Sequence, residues 1–372
     1  MDVLVIGGTG PSGPLIVNGL VERGHHVTIL HTGRHEVDTL PPQSVVPHIH
    51  CDPFDEASFR DGLAERTFDV VFAMYGRLRM VCDVLVGRTP RLFSIGGVPV
   101  YPGFGDDEDR FPHGMRLPSR EEDAGVRDGA EQDMRKIARI WQSEQMVFER
   151  HPDATHFRYP YIYGPNQVLP REWPMVKRAL DGRRPLIVAE GGLSVMTQCF
   201  VENAAHAVML AVDQIDTSAG KVYNVSDDEL FSVAQVAQIV GDELGHTFDL
   251  VSLPNEVARP ARAFLHHHTA QHRIVDATRI RTELGYADVV RPEDGLRRTI
   301  RWQVDNLARD PSAVERILED PFDYAAEDQL VELHRRFVAD CAAVGFRAEP
   351  GLTSGYYGPK PNPAGDRRSF RG

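Results

Sequence analysis

The sequence predicts an α/β fold, a doubly wound parallel sheet with helices on both faces, followed by a smaller C-terminal lobe and a C-terminal tail. Three observations predict it. Short apolar runs, the form of strands buried on both faces, alternate with stretches of helical spacing from the first residues onward. A glycine-rich turn joins the first such run directly to the first helical stretch. Beyond Pro311 the composition changes, and Gly351–Gly372 is a stretch of Gly, Pro and Arg that predicts no regular structure.

The elements follow in order. Val3–Ile6 is the first strand, and Pro14–Arg23 has helical spacing that Gly24 ends. His26–Leu30 is the second strand, Glu56–Glu65 a helix, Asp69–Met74 the third strand and Arg91–Ile95 the fourth. This β-α-β order requires parallel pairing with crossover helices. Pro99–Gly129, rich in Gly, Pro and acids, reads as loop. Ala130–Arg150 is a long helix and Thr155–Tyr163 a further strand. Glu172–Asp181, Val233–Leu244, Thr278–Leu284 and Gly295–Asn306 are helical, and Glu327–Val344 is an amphipathic helix in the tail region.

Composition narrows the classes of function. The 372 residues are 42% hydrophobic, enough for a substantial core. With 54 acidic and 41 basic residues the net charge is −13, which repels a nucleic-acid backbone. The four cysteines, Cys51, Cys82, Cys199 and Cys341, form no CxxC pair, so neither a disulfide framework nor a structural zinc site is expected. MDVLVIGGTG lacks the pattern of a signal peptide, and no run of about 18 apolar residues occurs. A cytoplasmic protein with a small-molecule substrate is expected, with no nucleic acid, no membrane and a homodimer left open.

The chemistry starts at VIGGTGPSG, where Gly7, Gly10 and Gly13 stand with Thr9, Pro11 and Ser12 between the first strand and the first helix. One glycine permits the tight turn, one lets a pyrophosphate approach the backbone amides, and one lets helix and strand pack closely. The turn sits in the strand–turn–helix context that gives such a motif its meaning. The end of the second strand reads ILHTGRHE, with no acid at His31 or Thr32 to bind a ribose 2′-hydroxyl. Arg34 follows, and a guanidinium there suits a 2′-phosphate, so NADP(H) is favoured over NAD(H).

With these residues in place, the chain resembles the extended short-chain dehydrogenase/reductase family, the NAD-dependent epimerase/dehydratase family, over roughly its first 300 residues. Besides the glycine turn, the resemblance rests on Asp52-Pro53, DVVFAMYG, the Ser94 strand ending FSIGG, RYPYIYGP, CFVENAAHAV and DATRIRTELGY. It implies a Rossmann domain over residues 1–165 with about 197–227, a substrate lobe over 166–196 and 228–310, and a helix and tail over 311–372. It also implies that Asp52 and Pro53 meet the adenine and that Ala73, Met74 and Tyr75 line the path to the nicotinamide ribose. Ser94, Pro160, Tyr161 and Tyr163 complete the implied cofactor site.

Most members of that family use a Ser/Thr, a Tyr and a Lys four residues after the Tyr. Aligned on Glu144, this chain has Lys136 at the Tyr position, Ile140 at the Lys position and Gly96 or Gly97 at the Ser/Thr position. One Tyr-x-x-x-Lys exists, Tyr356–Lys360, and its interior Gly and Pro break the helix that the motif needs. The chain therefore reads as an atypical member lacking the triad. The remaining catalytic candidates are Lys136, Tyr101 and Tyr75. Met196 and Thr197 stand where nucleotide-sugar members carry Arg-Asp, which weakens a nucleotide-sugar substrate. Tyr161, His272 and Arg273 are the substrate candidates. The run LHHHTAQH lacks metal-ligand spacing, so no metal is expected. The expected function is an NADP(H)-binding enzyme transferring hydride at a carbonyl or carbinol of a small organic substrate. The alternatives are an epimerase, dehydratase or lyase with tightly held NAD(P), or a non-catalytic NADP-sensing protein.

Overall fold

Strands form where the apolar runs predict them. A computed structural model describes residues 1–34, 37–74, 76–105, 114–123, 125, 132–309 and 311–347, apart from the side chains of 132–137 and 313. The strands are β1 (Asp2–Ile6), β2 (His26–His31), β3 (His48–His50), β4 (Val70–Ala73), β5 (Leu92–Gly97), β6 (Thr155–Tyr159), β7 (Tyr161–Tyr163), β8 (Pro185–Ala189), β9 (Gln198–Phe200), β10 (Lys221–Asn224) and β11 (Asp249–Leu253). Among the described residues, seven of them form one parallel sheet in the order β10-β6-β5-β4-β1-β2-β3. The chain leaves β1 in one direction for β2 and β3, and returns on the other side as β4. The crevice beyond the carboxyl ends of β1 and β4 is therefore the switch point at which such sheets hold ligands.

The helices are α1 (Gly13–Glu22), α2 (Glu56–Leu63), α3 (Leu78–Leu85), α4 (Gln132–Arg150), α5 (Trp173–Leu180), α6 (Val201–Asp213), α7 (Val233–Leu244), α8 (Arg262–Leu265), α9 (Thr278–Leu284), α10 (Pro292–Leu307), α11 (Ser312–Leu318) and α12 (Tyr324–Ala342). Alternation along the strands divides the core in two. Val3, Val5, Ile29, Phe72, Phe93 and Phe157 meet residues of α1 and α6 on one face. Leu4, Ile6, Leu30, Val71 and Leu92 meet residues of α2, α3 and α4 on the other.

Pro160 changes one expectation. The single strand expected over Thr155–Tyr163 is two: β6 belongs to the central sheet, and β7 pairs with β9 in a separate one. Proline has no N–H to donate to a ladder, so pairing changes partner there. A further small sheet pairs β8 with β11. The chain forms two compact units, Met1–Asp323 and Tyr324–Gly372. In the first, the segment after α11 is held by a buried ion pair between Arg178 and Asp320 at 2.7 Å. In the second, the described portion contains α12, on which Leu333 and Phe337 are exposed. Among the described residues no helix is long and apolar enough to cross a membrane.

Candidate functional site

The glycine turn takes the shape its composition requires. Gly7 and Gly8 have φ of 98° and 77°, values that side chains disfavour. A Cβ on Gly13 would lie 2.3 Å from the Gly8 carbonyl carbon, so this glycine lets the head of α1 pack directly on the turn. A Cβ on Gly10 would meet nothing within 4 Å, so the backbone is open to an approaching group there. Ser12 occupies the cap position of α1 without a side-chain cap bond, while the Gly13 N–H donates to the Gly10 carbonyl at 3.0 Å and Pro14 has no N–H to offer. Tyr159, at the end of β6, donates its hydroxyl to the Ala204 carbonyl at 3.2 Å. Sequence reading passed over this tyrosine, although it precedes Pro160 in RYPYIYGP.

At the end of β2, His31 is buried, and its Nδ1 accepts the Gly33 N–H at 3.1 Å. That bond places the ring proton on Nε2, which lies 3.2 Å from His48 Nδ1 and donates to it. His31, His48 and His50 bring ring nitrogens within 4.8 Å of one another. The tautomer fixed by Gly33 makes the His31–His48 contact a hydrogen-bonded chain instead of a pair of lone pairs facing a metal. Arg34 is exposed beyond this cluster.

Asp52 forms a turn: the Phe54 N–H donates to its Oδ1 at 2.9 Å. The loop after β4 packs against it, since the Arg77 N–H donates to the Pro53 carbonyl at 3.2 Å and a Cβ on Gly76 would lie 2.8 Å from that same oxygen. Ala73 ends β4 beside β1 and Met74 follows it, its N–H bonded to Ile6 O at 3.0 Å. Tyr75, read as both catalytic and cofactor-lining, lies outside the described residues.

Between β5, β6 and α4 lies a buried polar network that the sequence reading did not assemble. Glu144 on α4 receives Arg158 of β6 through two bonds, 2.6 and 2.9 Å, and both side chains are 2% exposed. Arg158 also donates to the Tyr101 hydroxyl at 2.8 Å, and that hydroxyl donates to Asn224 Oδ1 at 2.6 Å. Tyr101 is therefore fully buried, and burial raises its pKa to about 12 against the pull of Arg158. The structure makes it a strut between sheet and helix, not the accessible proton donor that its place after the Ser94 strand suggested. Ser94 is corrected in the same way: it is fully buried, and its hydroxyl meets His156 Nδ1 at 2.7 Å. Lys136 lies in α4 with its side chain outside the described residues. Ile140, one turn on, packs beside Val98, Val100 and Tyr101, an apolar setting at the position of the family lysine.

His156 carries a testable pH signature. Burial lowers its pKa from 6.5 to about 4, with Glu144 opposing and Arg158 reinforcing. The unfolded chain then takes up this proton first as pH falls. The stability from keeping His156 neutral is full above about pH 6.5 and is lost on descent towards pH 4, a total of about 3 kcal/mol. His156→Gln is expected to flatten this acid limb in urea unfolding at pH 7 and pH 4.5. An unchanged limb would refute the assignment.

The lobe collects the remaining predicted residues. The Tyr161 hydroxyl donates to the Leu169 carbonyl and accepts the Arg171 N–H at 2.9 Å, and the Arg171 guanidinium lies 4.6 Å over its ring. Tyr163, expected in the cofactor site, is fully buried, and its hydroxyl meets Asp227 at 2.8 Å and the Pro292 carbonyl at 3.1 Å, so it is engaged within the protein. Its neighbour Pro160 is also buried. His272 is exposed and accepts the Val195 N–H at 3.1 Å. Arg273 is 1% exposed, donates to the Phe104 carbonyl at 2.7 Å and walls a cavity of about 40 Å³ together with Arg171, Met196, Gln198 and Phe264. Ser194 Oγ and Gln198 Nε2 face this region buried and without hydrogen bonds, so the cavity favours a polar occupant.

No family model matches the chain. Among curated proteins, dTDP-glucose 4,6-dehydratase of Neisseria gonorrhoeae is 30% identical over 163 residues, covering 41% of this chain and 44% of that protein. The chloroplast stem-loop binding protein of 41 kDa b of Arabidopsis thaliana is 24% identical over 242 residues, 61% of this chain and 59% of that one. The chain spans about half the length of the curated relatives it matches. Among solved structures, the Bordetella bronchiseptica enzyme WbmG in complex with NAD has a TM-score of 0.63 at 16% identity, over 82% of this chain and 94% of that one. Others with this fold are sugar-nucleotide epimerases and dehydratases. The fold is thus that of the NAD-dependent epimerase/dehydratase class. In sequence, about two fifths of the chain is similar to the dTDP-glucose 4,6-dehydratase of Neisseria gonorrhoeae, in keeping with the resemblance of its motifs.

Proposed function

We propose that the chain is an NADP(H)-binding enzyme that transfers hydride at a carbonyl or carbinol of a small organic substrate. The observation that carries the reading is the glycine turn: tight packing at Gly13 and open backbone at Gly10, at the switch point of the sheet. This is a cradle that a dinucleotide pyrophosphate fits. When bound, the nicotinamide supplies or accepts the hydride. The chain's own residues hold it: the N–H groups of Gly10 and Ser12 in the glycine turn, Arg34 towards the adenosine ribose, and the Asp52-Pro53 turn at the adenine end. The absence of an acid at the end of β2 supports NADP(H) over NAD(H). NAD in related structures such as WbmG supports the coarser reading of a nicotinamide dinucleotide.

A second reading, a dehydratase or epimerase that keeps its nucleotide, is favoured by the kind of enzyme the Neisseria relative is. Ile140 in its apolar contact argues against the usual Tyr/Lys relay for either reaction. The net charge of −13 favours a small-molecule ligand over RNA. Fluorescence titration with NADPH and NADH tests the proposal. Arg34→Ala is expected to weaken NADPH binding about 10- to 100-fold, the loss of a charge-assisted bond, while leaving NADH nearly unchanged. Equal loss for both cofactors would remove the NADP preference, and binding of neither by the unaltered chain would remove the reading.

A further inference from the structure

A cleft of about 860 Å³ opens on the face of the sheet opposite α1, between α2, α3 and α4. It exists because α3 has 8 residues and α4 has 19, so α3 cannot cover its neighbour along its length. The floor of the cleft includes Gly96 and His156. A Cβ at residue 96 would lie 2.4 Å from His156 Nε2, so the imidazole fills the room that a side chain there would need. His156 is 1% exposed, and its Nε2 makes no hydrogen bond. The other ring nitrogen meets Ser94 Oγ at 2.7 Å, and Glu144 Oε2 stands 3.5 Å from Nε2. A carboxylate on that side favours the tautomer with the proton on Nε2, with Nδ1 accepting the serine hydroxyl. This buried N–H makes no hydrogen bond, with the Glu144 carboxylate 3.5 Å away as its neighbour, and the ring that carries it lines the cleft.

The rim is cationic in a chain that is otherwise strongly acidic. Arg60, Arg77, Arg79 and Arg139 line it, against Glu56 and Asp83. Glu56 pairs with Arg60 at 2.9 Å and Asp83 with Arg150 at 2.6 Å. Among the described residues no carboxylate pairs with Arg77, Arg79 or Arg139. Three guanidinium groups therefore surround an opening whose floor presents one hydrogen-bond donor.

We propose that this cleft binds a small organic acid bearing a keto or hydroxyl oxygen, its carboxylates held by Arg77, Arg79 and Arg139 and its oxygen accepting the Nε2–H of His156. The glycine turn and Arg34 do not contribute to it, but Gly76, Gly96 and Ile140 in its lining adjoin the nicotinamide end of the dinucleotide reading, and the inference rests on that reading to this extent.

The test uses the full chain labelled with ¹⁵N-histidine, with the His156 ring signals assigned by their loss in His156→Gln. 2-Oxoglutarate, glutarate and inorganic phosphate are titrated separately. The keto acid is expected to shift the His156 Nε2 signal saturably. Glutarate, lacking the oxygen, is expected to bind more weakly and leave that nitrogen nearly unmoved, and phosphate is expected to compete with the keto acid. The double variant Arg77→Gln/Arg139→Gln alters two exposed side chains and is expected to weaken the keto acid about tenfold or more. The proposal is overturned if His156 fails to respond to the keto acid at millimolar concentrations, or if the double variant binds it unchanged. NADPH titration of the same samples reports separately on the dinucleotide site, so either reading can fail alone.

Discussion

Arg158→Met is expected to destabilise the fold by about 3–5 kcal/mol, because it strands the buried carboxylate of Glu144 without its partner. The guanidinium makes two bonds to Glu144 and one each to the Tyr101 hydroxyl and the Glu121 carbonyl, all in an environment nearly closed to solvent. Removing one ion exposes the full desolvation cost of the other. The double variant Arg158→Met/Glu144→Leu is therefore expected to be more stable than the single one, since an apolar pair of similar volume replaces a buried ion pair at little cost. Urea midpoints at constant slope measure both effects. A single-variant loss below about 1 kcal/mol, the range of an exposed pair, would contradict the burial that the argument uses. The same pair fixes α4 to β6, so the single variant also loosens the helix that carries Lys136 and Ile140.

The second large effect separates two glycines in one turn. Gly13→Ala forces a methyl group into the backbone of Gly8 and is expected to lower both stability and dinucleotide binding. Overpacking of this kind typically costs about 1–3 kcal/mol, and here the obstacle is backbone that cannot swing away. Gly10→Ala meets no protein atom within 4 Å. It is expected to leave the unfolding midpoint near that of the unaltered chain while weakening NADPH, because its methyl group enters the space reserved for the phosphates. If Gly10→Ala bound NADPH normally, the open backbone there would have some other purpose.

Much of this was legible in the chain. The apolar runs at Val3–Ile6 and Asp69–Met74 could only be strands buried on both faces, and the two core clusters fill both sides of them. The glycines were legible because their requirement is local, within one turn of backbone. β3 escaped because His48-Ile49-His50 has one apolar residue and sits at a sheet edge. α3 escaped because it has only two turns, with Arg77 just before it and Arg79 in its first turn. The polar network escaped for a different reason. Glu144 and Arg158 are 14 residues apart on different elements, and Ser94 and His156 are 62 apart. No periodicity reports such a meeting. Glu144 is legible as an alignment marker, while its partner Arg158 carries no such signal within RYPYIYGP. Tyr163 was misplaced because the break at Pro160 sends the chain out of the central sheet and its hydroxyl towards Asp227.

The imidazole that occupies the side-chain room of residue 96 also constrains how this chain can change over generations. A serine at Gly96 would set its Cβ 2.4 Å from His156 Nε2, so the ring, which is bonded to Ser94, would have to shift. A small residue at 156 arriving first would leave a hole beside Ser94 and Glu144, deep in the domain. Either change alone is expected to give a less stable protein. The two positions are thus coupled: a side chain at residue 96 is expected to be tolerated only together with a smaller residue at 156.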